Sequence, residues 1–372
     1  MPNHSPRPIS HVSITKDSLQ IILDALRDAG YTLIGPRVRE EAIVLDEIGQ
    51  LSDLPIGLTE EQEPGAYRLI PRKDRTLFGY SVGPHSWKRY LFVPVLTLFS
   101  IHQQNGGFSV AQNNEEAPQY AFIGVRPCDL HAIGIQDLIF LNGLYQDPTY
   151  RSRRQKAFIL AVNCLEPGST CFCVSMRTGP RVTSGFDLAL TELDEIFLIE
   201  VGSELGWQII ADASWRPAGA FELQEARQAL ADAERRMGRH LDTSDMPNLL
   251  YQNLEHPRWD QVSRRCLSCT NCTQVCPTCF CSDIVDRSDL AGKTAERVRL
   301  WDSCFNLDFS HVHGGNIRPG TRARYRQWLT HKLASWIDQF GTSGCVGCGR
   351  CITWCPVGID LTEEVKAIRG GG

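Results

Sequence analysis

Residues 266–281 read CLSCTNCTQVCPTCFC, which places six cysteines within sixteen positions. Disulfides, zinc sites and iron–sulfur clusters all use closely spaced cysteines, so the spacing has to distinguish among them. The pattern Cys-x2-Cys-x2-Cys-x3-Cys-Pro begins at residue 266 and returns at residues 345–356. Two copies of this pattern are typical of a protein that binds two [4Fe–4S] clusters.

The size and the termini of the sequence favour reduced thiols over disulfides. A chain of 372 residues can bury large apolar cores and needs no disulfide staples for stability. Residues 1–20 lack the basic, apolar and small-residue segments of a secretory signal peptide. The longest apolar run, near residues 90–101, is too short to span a bilayer. We therefore expect a cytoplasmic protein that does not enter the membrane.

The net charge gives no sign of a nucleic-acid partner. The formal charge at pH 7 is -5 and the isoelectric point is near 6.1, so the chain has no general attraction for phosphate backbones. The basic stretch at 318–326 is expected to face solvent or a partner protein.

The two cysteine runs predict crossed ligation. Three cysteines two residues apart hold three corners of a cubane, and the fourth, marked by proline, ligates the other cluster in two-cluster ferredoxins. Zinc needs two separated Cys-x2-Cys pairs, which would leave the third cysteine and the Cys-Pro superfluous. The predicted ligands are the Cys266 group (Cys266, Cys269, Cys272 and Cys355) and the Cys345 group (Cys345, Cys348, Cys351 and Cys276).

The first part of the chain has the pattern of an α/β domain. Helical spacing of apolar residues predicts helices at 16–30 and 129–141. A strand, helix, strand order around 129–141 favours a mixed or parallel sheet, so we expect an α/β (α+β) domain over residues 1–221. Short apolar runs bounded by turn residues predict strands at 41–45, 67–70, 89–96, 120–125, 156–162 and 196–201.

The composition changes after residue 221. A charged amphipathic helix is predicted at 222–241, and another at 323–341 carries an aromatic stripe that we interpret as core packing. With both cysteine runs, residues 222–372 are predicted to form a mainly α-helical, ferredoxin-like domain that binds two [4Fe–4S] clusters.

Four further cysteines lie in the first domain. Cys128 follows one predicted strand, and Cys164, Cys171 and Cys173 follow the next; these four are the Cys128 group. Adjacent parallel strands would bring their loops to one edge of the sheet. Such a group could hold a third [4Fe–4S] cluster. It could also be a set of structural thiols, or contain a Cys128 made reactive by a helix amino terminus.

Several other residues could take part in chemistry. Cys279, Cys281 and Cys304 are interpreted as packed thiols, with ligation of another centre as the alternative. His311 and His313 lie in a glycine-rich loop and are interpreted as solvated. No glycine-rich dinucleotide or phosphate loop is visible, so nicotinamide and flavin are expected on a partner. No residue is predicted to be catalytic.

The motifs VRPCDL (125–130), AVNCLEPGSTCFC (161–173), WDSCF (301–305) and CVGCGRCITWCP (345–356) resemble one family of iron–sulfur proteins. This is the beta subunit of cytosolic NADP-linked [NiFe] hydrogenases, or sulfhydrogenases. More distantly, the chain is similar to the A subunit of anaerobic sulfite reductase.

The resemblance implies a role in electron relay. Electrons would pass between a subunit that binds FAD and NAD(P) and the small hydrogenase subunit, which works with the large [NiFe] subunit. It also implies a third [4Fe–4S] cluster at the Cys128 group. The corresponding subunit of a sulfite or sulfur reductase is the alternative.

Overall fold

The structure is a computed structural model that describes residues 11–104, 106–112 and 116–370. The outer limits of the two predicted domains, residues 1 and 372, lie outside the described residues. So does the first half of the segment searched for a signal peptide.

The described residues contain sixteen strands and fourteen α-helices. The strands are β1 (His11–Thr15), β2 (Thr32–Arg39), β3 (Ala42–Glu47), β4 (Leu58–Glu63), β5 (Ala66–Pro71), β6 (Val95–Gln104), β7 (Gly107–Gln112), β8 (Tyr120–Val125), β9 (Phe158–Val162), β10 (Leu188–Glu192), β11 (Ile196–Val201), β12 (Arg216–Pro217), β13 (Ser282–Ser288), β14 (Thr294–Trp301), β15 (His311–Val312) and β16 (Gly315–Asn316). The helices are α1 (Leu19–Asp28), α2 (Lys88–Leu91), α3 (Pro127–Leu141), α4 (Pro148–Gln155), α5 (Cys173–Met176), α6 (Glu204–Ile210), α7 (Ala220–Arg235), α8 (Met246–Gln252), α9 (Arg258–Arg265), α10 (Asn271–Gln274), α11 (Thr321–Thr330), α12 (Trp336–Phe340), α13 (Arg350–Thr353) and α14 (Leu361–Arg369). A π turn (His331–Ser335) joins α11 to α12.

An eight-stranded mixed sheet forms the centre of the first part of the chain. Its strand order is β12-β1-β11-β10-β9-β8-β2-β3. Strands β10, β9, β8 and β2 run parallel, and the others pair antiparallel. Helices α1 and α6 pack against each other over one face, and the buried side chains of α1 join the core of the sheet. The mixed helix and strand content predicted from the sequence is therefore confirmed.

The parallel pair β8 and β9 positions the Cys128 group. Strand β8 leads into α3, which begins with Pro127 and Cys128, and the chain returns through α4 to β9. Cys164 follows the end of β9 by two residues. Because the two strands are parallel neighbours, the loops at their carboxyl ends lie at the same edge of the sheet.

The fold differs from the sequence prediction in several places. Strands β1, β2, β4, β7 and β10 were not predicted, and the helix predicted at 222–241 ends at Arg235. The strand predicted at 89–96 is the end of helix α2 followed by β6, which begins after Pro94. Pro94 lies between the two elements and has no N–H to donate to a neighbouring strand. Its carbonyl accepts from the N–H of Trp301. The hairpin β13–β14 was not predicted, because β13 is largely exposed and both strands carry charged residues and lack a long apolar face.

This hairpin also crosses the predicted domain boundary at residue 221. Strand β14 pairs antiparallel with β6, and the four strands form a sheet in the order β13-β14-β6-β7. The residues after 222 contain both helices and strands, and they share one sheet with the first part of the chain.

The long helical stretch from α11 through the π turn to α12 forms the core of the second part. Its aromatic and leucine side chains are buried, which confirms the predicted core packing: Tyr325, Trp328, Leu329, Leu333 and Trp336. Helices α10 and α13, one in each cysteine run, pack against each other. The two runs, separated by 68 residues in the sequence, are thus neighbours in the fold.

Candidate metal centres

All fifteen cysteines have free thiols. The structure gathers twelve of them into the three groups that were predicted from the sequence. Each group combines residues from at least two separate loops, so the fold and the sites depend on each other.

The Cys266 group lines one small apolar cavity of about 30 Å³. Cys355 comes from the second run and lies beside Cys266, Cys269 and Cys272 from the first. Burial raises the pKa of Cys272 well above its ordinary value, and repulsion from the other three sulfurs adds to this effect. The N–H of Ser268 donates to Cys266 Sγ at 3.5 Å. The crossed contribution of Cys355 is therefore present in the fold.

The Cys345 group shows the reciprocal crossing. Burial raises the pKa of Cys351 well above its ordinary value, and the nearby sulfurs of Cys345, Cys348 and Cys276 add to it. Burial also raises the pKa of Cys345 to about 12. The N–H of Gly347 donates to Cys345 Sγ at 3.4 Å. Cys276 from the first run thus lies with three cysteines of the second.

The Cys128 group lines a second small cavity, of about 20 Å³, which its four cysteines share with Cys348. All four cysteines are buried. Burial is the main cause that raises the pKa of Cys128 and Cys171 well above the ordinary value, and nearby negative groups add to it. The two loops predicted to meet at the sheet edge do meet.

The chemistry of these donor sets fits iron–sulfur clusters. Buried thiols with raised pKa values hold their protons unless a cation is supplied, and a bound metal deprotonates them. Thiolates are the usual ligands of [4Fe–4S] clusters. Within the described residues, no three His, Cys, Asp or Glu side chains converge closely enough to hold a single metal ion.

The loops of the Cys345 and Cys128 groups are in direct contact. The N–H of Phe172 donates to the carbonyl of Gly347 at 2.8 Å, and Thr178 Oγ1 donates to the carbonyl of Val346 at 2.6 Å. Gly347 has a φ of +67°, and a Cβ added there would lie 2.6 Å from the carbonyl oxygen of Phe172. Only glycine permits this approach of the two backbones.

A buried ion pair fixes the same contact. Arg350 lies between Cys348 and Cys351, and Asp129 follows Cys128. The guanidinium donates to both carboxylate oxygens at 2.8 Å, and the two side chains are 2% and 3% exposed. The pair therefore holds the Cys345 loop at the amino terminus of α3.

We expect Asp129→Asn to destabilise the protein by about 3–5 kcal/mol, because it leaves the buried Arg350 cation without its partner. The control is Asp286→Asn, which removes an equally bidentate but exposed pair with Arg297 and should leave the stability nearly unchanged. The measurement is the shift of the urea midpoint under identical anaerobic conditions. Equal shifts for the two variants would show that the buried pair does not hold the loops.

Two buried lysines were missed by sequence reasoning. Lys332 Nζ lies 3.1 Å from Cys276 Sγ and 3.5 Å from Cys279 Sγ. Lys88 donates to the carbonyl of Cys279 at 3.1 Å and lies over the ring of Trp301. The available signal was the spacing of Lys332, which lies four residues from both Trp328 and Trp336 of the buried aromatic stripe.

The ammonium of Lys332 and the sulfurs around it shift each other's pKa values. Burial disfavours its charged form, but the sulfurs of Cys276, Cys279 and Cys345 outweigh this and raise the pKa of Lys332 well above its usual value. The Cys279 thiol is the largest cause that lowers the pKa of Cys276, with the Lys332 ammonium acting in the same direction against burial. Cys276 is thus favoured as a thiolate.

The remaining cysteines lie around these groups. Cys304 packs in the core that also contains Cys272, and its hydrogen bond lowers the pKa of Cys281 to about 7. Cys279 is buried beside Lys332. The position of Cys304 agrees with its interpretation as a packed thiol. Cys279 differs, because its sulfur is in contact with the Lys332 ammonium.

The other candidates are ordinary surface or structural residues. His311 and His313 are exposed. Within the basic stretch at 318–326, Arg322 and Arg326 pair with Glu255, and Arg324 is buried and donates to three backbone carbonyls. These three arginines are therefore engaged within the chain.

Comparisons with known proteins agree with this geometry. A family model described as a 4Fe-4S dicluster domain matches residues 265–359. The chain is also similar to "Sulfhydrogenase 2 subunit beta" of Pyrococcus furiosus, with 32% identity over 285 residues that cover 73% of this chain and 82% of the relative. No solved structure gives a significant match.

The fold and the cysteine groups define an iron–sulfur protein with a dicluster domain that is built into a larger α/β chain. With the similarity extending over most of both sequences, the chain belongs to the family of sulfhydrogenase beta subunits. The prediction of an iron–sulfur electron-transfer subunit of a hydrogenase is confirmed, and the sulfite or sulfur reductase alternative is not favoured. Among the described residues, no helix is long and apolar enough to cross a membrane.

Proposed function

We propose that the three cysteine groups hold three [4Fe–4S] clusters that form one relay, with the Cys345 group in the middle. One observation carries this order. Cys348 lines the cavity of the Cys128 group, whereas Cys351 lines the cavity of the Cys266 group. Both cysteines belong to the Cys345 group, so its site has the other two as neighbours on different sides.

The protein's part is to hold and shield these sites. When bound, such clusters supply one-electron redox chemistry, tuned by hydrogen bonds to sulfur and by burial. The N–H groups of Ser268 and Gly347 donate to ligand sulfurs, and the buried Cys128 group is kept from water.

The Cys266 group is the proposed end for exchange with a partner. Cys269 is exposed, and the neighbouring Leu267 side chain is 63% exposed. An apolar side chain left in water beside a ligand cysteine is a suitable contact for a docking protein. Electrons would enter or leave the chain at this edge.

The partners are those implied by the family. The relative's name makes it one subunit of a multi-subunit sulfhydrogenase. We propose that this chain likewise connects a subunit that carries FAD and NAD(P) with the small subunit of a [NiFe] hydrogenase and, through it, the large subunit. A cytoplasmic location is part of the same proposal.

The test is a reconstituted reaction under anaerobic conditions. The chain alone is expected not to oxidise NADPH, because only one-electron sites are proposed for it. Added to the hydrogenase pair and the flavin subunit, it should restore hydrogen-dependent reduction of nicotinamide, since flavin converts between one- and two-electron steps. A Cys272→Ala chain should lose this coupled activity.

The control is hydrogen-dependent reduction of an artificial dye that accepts electrons directly from the hydrogenase small subunit. This reaction should be the same with the wild-type and the Cys272→Ala chain. Oxidation of NADPH by the chain alone would contradict the relay and would place a nicotinamide site within it.

A further inference from the structure

Lys332 is a buried cation directed at a candidate cluster ligand. Its side chain is 3% exposed. Its Nζ lies 3.1 Å from Cys276 Sγ and 3.5 Å from Cys279 Sγ, and donates to the carbonyl of Gly344 at 3.0 Å and to Thr278 Oγ1 at 3.3 Å. Every hydrogen-bonding or sulfur contact of the ammonium is therefore with one of the two cysteine runs or the residues next to them, and the ring of Trp336 lies 5.7 Å away.

The charge of Lys332 is not balanced by a carboxylate among the described residues, whose ion pairs do not include it. A buried ammonium is costly unless it is paired. The polar groups that it faces are two sulfurs, one hydroxyl and one carbonyl. The nearer sulfur is that of Cys276, so the Cys345 group supplies the counter-charge through this ligand, with Cys279 beside it. This distinguishes Lys332 from Arg350, which is neutralised by Asp129.

The helix geometry places Lys332 on the buried side. Residues 331–335 form a π turn inside the long helix, and such turns are found frequently at functional sites. The carbonyl of Lys332 accepts from the N–H of Gly344 at 2.8 Å and from Ser343 Oγ at 3.3 Å. The backbone of Lys332 thus holds the start of the second cysteine run. Its side chain contacts Cys276, which belongs to the first run.

We infer that Lys332 is a positioning residue that sets the reduction potential of the Cys345 group. This inference rests on the proposed function, in which Cys276 is a ligand of that group. Reduction adds one electron, and hence one negative charge, to the site without a proton, and the donor is a neighbouring group of the relay. A fixed positive charge 3.1 Å from a ligand sulfur favours the more negative state. The middle of the relay therefore accepts electrons more readily than it would without Lys332.

The test is a potentiometric titration followed by electron paramagnetic resonance on Lys332→Met and Lys332→Gln. The signal of the Cys345 group is identified by its loss in Cys348→Ser. At a fixed potential, both variants should show a reduced-to-oxidised ratio for this group that is about tenfold lower, which is about 59 mV for one electron. Lys366→Met, which removes an exposed lysine from α14, should leave the ratio unchanged.

The two variants separate charge from hydrogen bonding, because glutamine keeps a donor and methionine does not. A wild-type ratio in both variants, or in Lys332→Gln alone, would overturn the assignment of the potential to the charge. If the wild-type protein lacked a signal that depends on Cys348, the proposed function would fail instead. Iron analysis of each variant shows that the centres under comparison are present.

Discussion

A Cys355→Ser chain is expected to lose the centre of the Cys266 group while it keeps that of the Cys345 group, although residue 355 belongs to the second cysteine run. The reason is the crossed arrangement, in which Cys355 lies with Cys266, Cys269 and Cys272. We expect the iron content to fall by about four per chain. Anaerobic iron analysis together with electron paramagnetic resonance measures both the number and the identity of the remaining centres.

The same substitution is expected to loosen the second part of the protein. The Cys266 group joins two segments that are far apart in the sequence, and metal binding stabilises a fold whose ligands come from distant segments. The matched control is Cys304→Ser, because Cys304 packs in the same core but belongs to none of the three groups. Damage confined to the Cys345 group in Cys355→Ser would mean that each run completes its own cluster.

The cysteine groups could be predicted from the sequence because their signal is local. Each run carries its spacing within about a dozen residues, and the proline after Cys276 and Cys355 marks the ligand that crosses over. The Cys128 group could be predicted for a different reason. Parallel strands β8 and β9 leave only one edge where Cys128 and Cys164 can follow them.

The residues around the groups could not be predicted, because their partners lie far away in the sequence. Asp129 and Arg350 are separated by 221 residues, and Lys332 is 56 residues from Cys276. Neither an acidic residue in the first turn of a helix nor a lysine in a long helix is unusual on its own. The hairpin β13–β14 escaped prediction because its pairing with β6, and not its own apolar pattern, defines it.

The number of clusters tests the three-centre relay most directly. The Cys128 group is buried, shares its cavity with Cys348 and is held to the Cys345 loop by Arg350 and Asp129. If it binds a [4Fe–4S] cluster, a relay of three centres has its complete set of ligands within this chain. If it is only a set of packed thiols, the chain has two centres and the proposed order has no third member.

The decisive measurement is therefore iron and acid-labile sulfide per chain in anaerobically purified wild-type protein, with Cys171→Ser measured beside it. Three clusters predict about twelve iron and about twelve sulfide, falling to about eight of each in Cys171→Ser. About eight of each in both proteins would contradict the third centre, and zinc in place of iron would contradict the relay as a whole.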